Sequence, residues 1–163
     1  MSTLAMDYYP ISTSSQQTQW GGNSAEAQKL YSEMNDVFIS IKPSEQKWVF
    51  NELEELSINA SRPNWDNLGS APLDSDTYQI AKRFILALPS SLPAPELTVD
   101  RDGEVNFDWF GSGGQIFSAS LRKDGRIAFA GQISTRNRQS GLEEFNDSVP
   151  KRIVESIKTI YPR

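Results

Sequence analysis

Two chemically versatile residue types are missing from this chain of 163 residues, which contains no cysteine and no histidine. Without cysteine there are no disulfides, no thiolate nucleophiles and no zinc sites that use sulfur. Without histidine the commonest general base and the commonest transition-metal ligand are also missing. Most hydrolase and zinc-enzyme classes are therefore excluded, and we expect a binding protein without a cofactor.

Long apolar runs are missing too. Runs such as Ile127–Ala130 span only a few residues, whereas about 20 are needed to cross a bilayer. The first ten residues do not contain the basic segment and apolar segment of a secretory signal peptide. We therefore expect a cytoplasmic protein that does not bind a membrane.

Composition divides the chain into two parts. Residues 1–23 are rich in Ser, Thr and Gln, and such a segment buries too little apolar surface to offset its ordering entropy, so it predicts a flexible N-terminal arm. Tyr8, Tyr9 and Trp20 in this arm are candidate partner-binding residues, because aromatic side chains concentrate binding energy. Residues 24–163 are enough for one hydrophobic core, and we predict a single α+β domain there.

Apolar residues at steps of three and four predict the helices of this domain. One helix begins at Ser24, the next carries Val49 to Ala60 on its buried face, and another begins at Asp74 or Ser75. A last helix begins near Pro150. Residues 37–41 fit either the end of the first helix or a short strand.

Alternating apolar residues between about 97 and 129 predict strands. Asp102-Gly103 and Asp124-Gly125 are strong two-residue hairpin signals. Together they predict a four-stranded antiparallel meander, with the helices packed on its apolar face. The polar residues 132–141 predict a loop.

The segment Asn64–Pro72, followed by a helix, Leu88-Pro89, Asp102-Gly103 and Trp109, resembles an uncharacterised family of small bacterial α+β proteins. The pattern of that family is a Trp-Asp-x-x-Gly-x-x-Pro loop, a helix and Asp-Gly hairpins, and the similarity covers about residues 62–131. Leu68 replaces the usual aromatic residue, and Ser70 is an extra residue. The resemblance implies an accessory protein of bacteria or mobile elements and identifies no functional residue.

Acidic residues crowd the predicted first hairpin, where Asp100, Asp102, Glu104 and Asp108 are candidate partner-binding residues. Paired carboxylates of this kind are used for glycoside hydrolysis or to hold a hard cation. An exposed group of like charges is more often simply solvated. A dense acidic surface is also suited to a basic groove on a partner protein, since it steers association electrostatically.

Basic residues follow, between residues 122 and 138, and Arg136 and Arg138 among them are candidate partner-binding residues. Guanidinium groups bind either an acidic protein surface or phosphates. No helix-turn-helix or RNP signature accompanies them.

The sequence therefore predicts a non-enzymatic interaction protein, accessory or inhibitory, of bacterial or mobile-element origin. It would bind a partner protein through the acidic hairpin, the arginine-containing loop or the aromatic arm. Nucleic-acid binding through residues 122–138 is one alternative, and a carboxylate-based enzyme is another.

Overall fold

The computed structural model describes Lys29, Glu33 and the continuous stretch 44–161. Residues 44–161 lie in one compact unit, which is an α+β structure. Its helices are α1 (Ser44–Asn59), α2 (Ser75–Ala87) and α3 (Lys151–Ile160). Its strands are β1 (Glu96–Val99), β2 (Val105–Phe110), β3 (Ile116–Leu121), β4 (Arg126–Gln132) and β5 (Arg138–Glu144).

Several predictions fall outside these residues. The N-terminal arm over 1–23, with Tyr8, Tyr9 and Trp20, is not among them, and neither are residues 37–41. Lys29 and Glu33 belong to a separate unit, where both are helical and form an ion pair of 3.8 Å one turn apart. In the described part of the chain no helix has the length and apolarity needed to cross a membrane.

Helix α2 begins as its sequence predicts. Asp74 is the N-cap residue, and its carboxylate accepts a hydrogen bond of 2.8 Å from the backbone N–H of Asp76. The buried face contains Ala81, Phe84 and Ile85, which recur at three- and four-residue steps. The period of the apolar residues therefore determines which side of this helix meets the sheet.

The sheet is antiparallel throughout, and its strands follow chain order from β1 to β5. Gly103 and Gly125, each with a φ of +79°, lie in the turns of the two predicted Asp-Gly hairpins. The predicted number of four strands is wrong, because residues 138–144 form a fifth strand. The predicted loop over 132–141 is correspondingly too long, since residue 132 belongs to β4 and residues 138–141 to β5. Strand β5 lies at the edge of the sheet and pairs with β4 through its backbone, so it needs no apolar face.

The core lies between the helices and one face of the sheet, called here the inner face. Trp109, Phe107 and Phe117 on this face are fully buried, and the Phe84 ring of α2 meets the Phe107 ring edge-on at 4.8 Å between centroids. Helix α3 buries one apolar face, that of its isoleucines, and packs against β3. The helices therefore cover the inner face, as the sequence predicts.

Candidate functional site

The opposite face of the sheet, called here the outer face, is not covered by any helix of the described chain. Successive side chains of a strand point to opposite faces, so the partners of the buried residues form this face. The strand register arranges them in four rows across the sheet. The first row, at the Asp-Gly hairpin end of β2, contains Asp100, Glu104, Arg122, Arg126 and Glu144, and the second contains Thr98, Asn106, Ser120, Ala128 and Leu142. The third row contains Glu96, Asp108, Ser118, Ala130 and Ser140. The fourth row, at the other end of β2, contains Phe110, Ile116, Gln132 and Arg138.

The middle of the outer face is formed by small side chains. Ser118 and Ala130 are cross-strand neighbours, and so are Ala130 and Ser140. Larger residues, Ile116 and Arg138 among them, border this floor and form with it a shallow, open depression of about 450 Å³. A partner's backbone can approach closely over such a floor, since few side-chain atoms stand in its way.

Three large apolar side chains on the outer face are exposed to solvent. Phe110 and Ile116 are a cross-strand pair, 47% and 42% exposed, and Leu142 on β5 is 50% exposed. None of these three residues is among the predicted site residues, and Leu142 directly follows the predicted loop over 132–141. Alternation gives the signal that finds the first two: Trp109 and Phe117 are buried, so Phe110 and Ile116 point the other way.

The predicted acidic residues do not form one cluster. The Asp100 carboxylate accepts hydrogen bonds from the backbone N–H groups of Asp102 (2.9 Å) and Glu104 (3.0 Å), so it stabilises the hairpin turn. Asp102 is exposed at the tip of that turn. Asp108 lies two rows away, opposite Glu96 on β1, and accepts a hydrogen bond from the Ser118 hydroxyl.

Glu104 is the one predicted acidic residue with an ion-pair partner in the described chain. The Arg122 guanidinium lies 3.0 Å from its carboxylate. Partial burial raises the pKa of Glu104, and the neighbouring carboxylates of Asp100, Asp102 and Asp124 raise it further, while Arg122 lowers it. The hairpin is therefore an acidic environment that one arginine only partly neutralises.

The predicted basic stretch is divided between two ends of the sheet. Arg122 and Arg126 lie at the end that contains the Asp-Gly hairpins, where Arg126 donates to the Asp124 carboxylate at 2.7 Å. Arg136 and Arg138 lie at the other end, beyond the seven residues of β4. A strand of that length spans roughly 20 Å, so these arginines do not form a single phosphate-binding patch.

The loop Asn64–Pro72, which carries the family resemblance, is held by its own hydrogen bonds. The Trp65 indole N–H donates to the Ala71 carbonyl oxygen at 3.0 Å. The Asp66 carboxylate accepts from the Ser70 hydroxyl and from the backbone N–H of Leu68 (2.9 Å), and these bonds lower the pKa of Asp66. The side chains of Trp65 and Asp66 thus serve the local structure of the loop.

Among the residues that the structure describes, no three carboxylates are grouped in a way that could hold a metal ion. No model of a known protein family matches the chain, and neither a curated protein nor a solved structure does. The class defined by the structure is an α+β protein with an antiparallel sheet that is covered on one face. The family resemblance of residues 62–131 stays a prediction.

Proposed function

We propose that this chain is a non-enzymatic interaction protein that binds a partner protein through the outer face. The observation that carries the proposal is the exposed apolar pair Phe110–Ile116, with Leu142 exposed separately on β5, on a sheet face without a covering layer. An antiparallel sheet can leave one face in water when that face is polar. Apolar residues gathered on such a face are typical of a contact surface.

The charges of the outer face favour a basic partner. The half formed by β1 and β2 contains four acidic side chains and no basic one, namely Glu96, Asp100, Glu104 and Asp108. The apolar pair Phe110–Ile116 borders this half. A partner with an apolar patch next to lysine or arginine residues would match both features, and the acidic half would accelerate its association. We propose that such binding serves an accessory or inhibitory role.

The two alternatives receive less support from the geometry. Nucleic-acid binding needs basic groups along one surface, and residues 122–138 supply two separate ends. Carboxylate chemistry needs two free carboxylates at a fixed separation, whereas Asp100, Glu104 and Asp108 are each engaged with a different group.

A pair of matched variants tests the proposal. Ile116→Asp places a charge in the outer face, and Ile58→Asp places the same charge on α1, where Ile58 is 71% exposed. Immobilised full-length wild-type chain and both variants are incubated with extract of the cells that encode it, and bound proteins are quantified.

We expect one protein set that Ile58→Asp retains and that Ile116→Asp loses by roughly tenfold or more, as expected for a contact at the centre of an interface. Its recovery should fall with added salt, because salt screens the acidic half. Equal recovery by the two variants, or no specific recovery by the wild type, would contradict the proposal.

A further inference from the structure

Strand β5 has a free edge with unpaired backbone groups. Two hydrogen bonds fix its orientation: Ile133 donates to the Asn137 carbonyl oxygen, and Phe145 donates to the Gly125 carbonyl oxygen, each at 2.9 Å. Residues 137 and 145 therefore face β4. Because the direction alternates along a strand, the N–H and C=O groups of 138, 140, 142 and 144 face away from it.

Only one of these outward groups has a partner within the described part of the chain. The Ser140 carbonyl oxygen accepts a long hydrogen bond of 3.4 Å from the Arg152 guanidinium. A carbonyl oxygen has a second lone pair, so it remains able to accept another N–H. The edge thus offers a row of donors and acceptors for a further strand.

The opposite edge of the sheet is protected in a different way. Strand β1 has only four residues, and the Glu52 carboxylate of α1 accepts a hydrogen bond from the outward N–H of Leu97. Short strands and covering side chains are the usual protection of a sheet edge. Strand β5 has seven residues, and within the described chain only the Arg152 guanidinium reaches its outward backbone groups, so this is the longer and more open edge of the sheet.

We propose that β5 pairs with β5 of a second copy of this chain, antiparallel and centred on Gly141. This interface uses the sheet edge and does not depend on the partner protein proposed for the outer face. In this register residue 138 lies opposite 144 of the other copy, and 140 lies opposite 142. All four are residues whose backbone groups face outward, so each pair closes two hydrogen bonds.

The side chains fit the same register. Arg138 lies opposite Glu144 of the second copy, and the twofold axis repeats this pair, which gives two cross-strand ion pairs. Neither residue has an ion-pair partner within 44–161. Gly141 lies at the axis, where directly opposed residues approach most closely. The pairing would join two five-stranded sheets into one and double the outer face.

Sedimentation of the full-length chain between about 1 and about 500 μM tests this pairing, since an interface of one strand is small and its affinity is expected to be weak. Ser140→Pro removes an outward N–H without removing a hydrogen bond to β4, and proline is tolerated at such edge positions. Thr135→Pro is the control, because Thr135 is exposed in the turn outside the paired residues and is the second residue of that turn, where proline is favoured. Circular dichroism verifies that each variant is folded.

We expect the wild type and the control to dimerise reversibly and Ser140→Pro to remain monomeric. Arg138→Glu and Glu144→Arg should each weaken the dimer roughly tenfold or more, because two attractive pairs become repulsive. Mixing these two variants should restore dimers, since each arginine then meets a glutamate. A monomeric wild type over the whole range, or dimers that survive all three substitutions, would overturn the proposal.

Discussion

Gly103 shows how a single turn residue joins two parts of the molecule. Its φ of +79° belongs to the left-handed region, and a Cβ atom at this position would lie 2.4 Å from the carbonyl oxygen of Pro72. Gly125 occupies the matching position of the second Asp-Gly hairpin with the same φ, but a Cβ there would meet nothing closer than 3.9 Å. A comparison of substitutions at the two glycines therefore separates the cost of a positive φ from the cost of steric overlap with Pro72.

We expect Gly125→Ala to lower the free energy of unfolding by about 1–2 kcal/mol, the cost of a left-handed alanine. Gly103→Ala should cost at least about 1 kcal/mol more, because the hairpin must also move away from Pro72. Urea unfolding of both variants measures the difference. Equal losses of unfolding free energy would show that Pro72 lies farther from Gly103 than in the structure.

Glu52 has a buried carboxylate oxygen without a hydrogen-bond partner in the described chain. Burial raises its pKa above the ordinary value of 4.5, and the neighbouring Glu96 and Glu55 carboxylates raise it further, while the hydrogen bond from Leu97 lowers it. The folded state therefore binds this proton more tightly than the unfolded state. Stability consequently falls as pH rises from 4.5 through the folded pKa.

Glu52→Gln should remove this loss, because an amide oxygen still accepts from Leu97 and carries no charge. We expect the variant to melt above the wild type at pH 8, with the gain disappearing as pH falls below the ordinary value of 4.5. Glu55→Gln, an exposed change on the same helix, should give a smaller gain. A gain of equal size at pH 4 and pH 8 would contradict this account of Glu52.

At the scale of elements, α3 is attached to the sheet by a narrow apolar stripe. Ile153, Ile157 and Ile160 are fully buried, while most other residues of the helix are polar and exposed. An isolated helix of ten residues is marginal in water. Its stability therefore comes from the burial of these isoleucines.

Ile157→Ala should lower the free energy of unfolding by about 2–5 kcal/mol, the range for deleting a buried large aliphatic side chain. Ile58→Ala on α1 makes the same chemical change at an exposed position and should stay within about 0.5 kcal/mol of the wild type. Thermal or urea unfolding measures both. Similar losses for the two would mean that α3 is not packed as described.

Most of these elements were predictable because their apolar residues recur with a clear period. Helix α2 and strands β1 to β4 each bury one face, so the sequence marks both the element and its orientation. Strand β5 was missed because an edge strand with the sequence Arg138–Glu144 has polar residues on both faces and no period to detect. Because β5 pairs with β4 through backbone hydrogen bonds, this pairing requires no periodic pattern of apolar side chains in the sequence.

The candidate site was less predictable for a related reason. Arg122 and Arg136 are close in sequence, but β4 separates them in space. Asp100 and Asp108 are on one hairpin, yet one row of the sheet lies between their side chains. Residues that share a surface come from different strands, and only the register shows which of them are neighbours.

At the scale of the whole molecule, the two faces of the sheet have opposite roles. The inner face holds the aromatic core with the helices, and the outer face presents a floor of small residues, an apolar pair and an acidic half. In the proposed β5 pairing, the outer faces of two copies would lie side by side in one sheet. We propose that a protein organised in this way acts through contact with another chain.

Photo-crosslinking tests that claim most directly. Benzoylphenylalanine is placed at Phe110 on the outer face or at Trp48 on α1, two aromatic positions of similar exposure, 47% and 53%. In the cells that encode the chain, the Phe110 position should give one discrete adduct with another protein, and excess wild-type chain, but not Ile116→Asp, should suppress it. No adduct at Phe110, or the same adducts from both positions, would contradict the account.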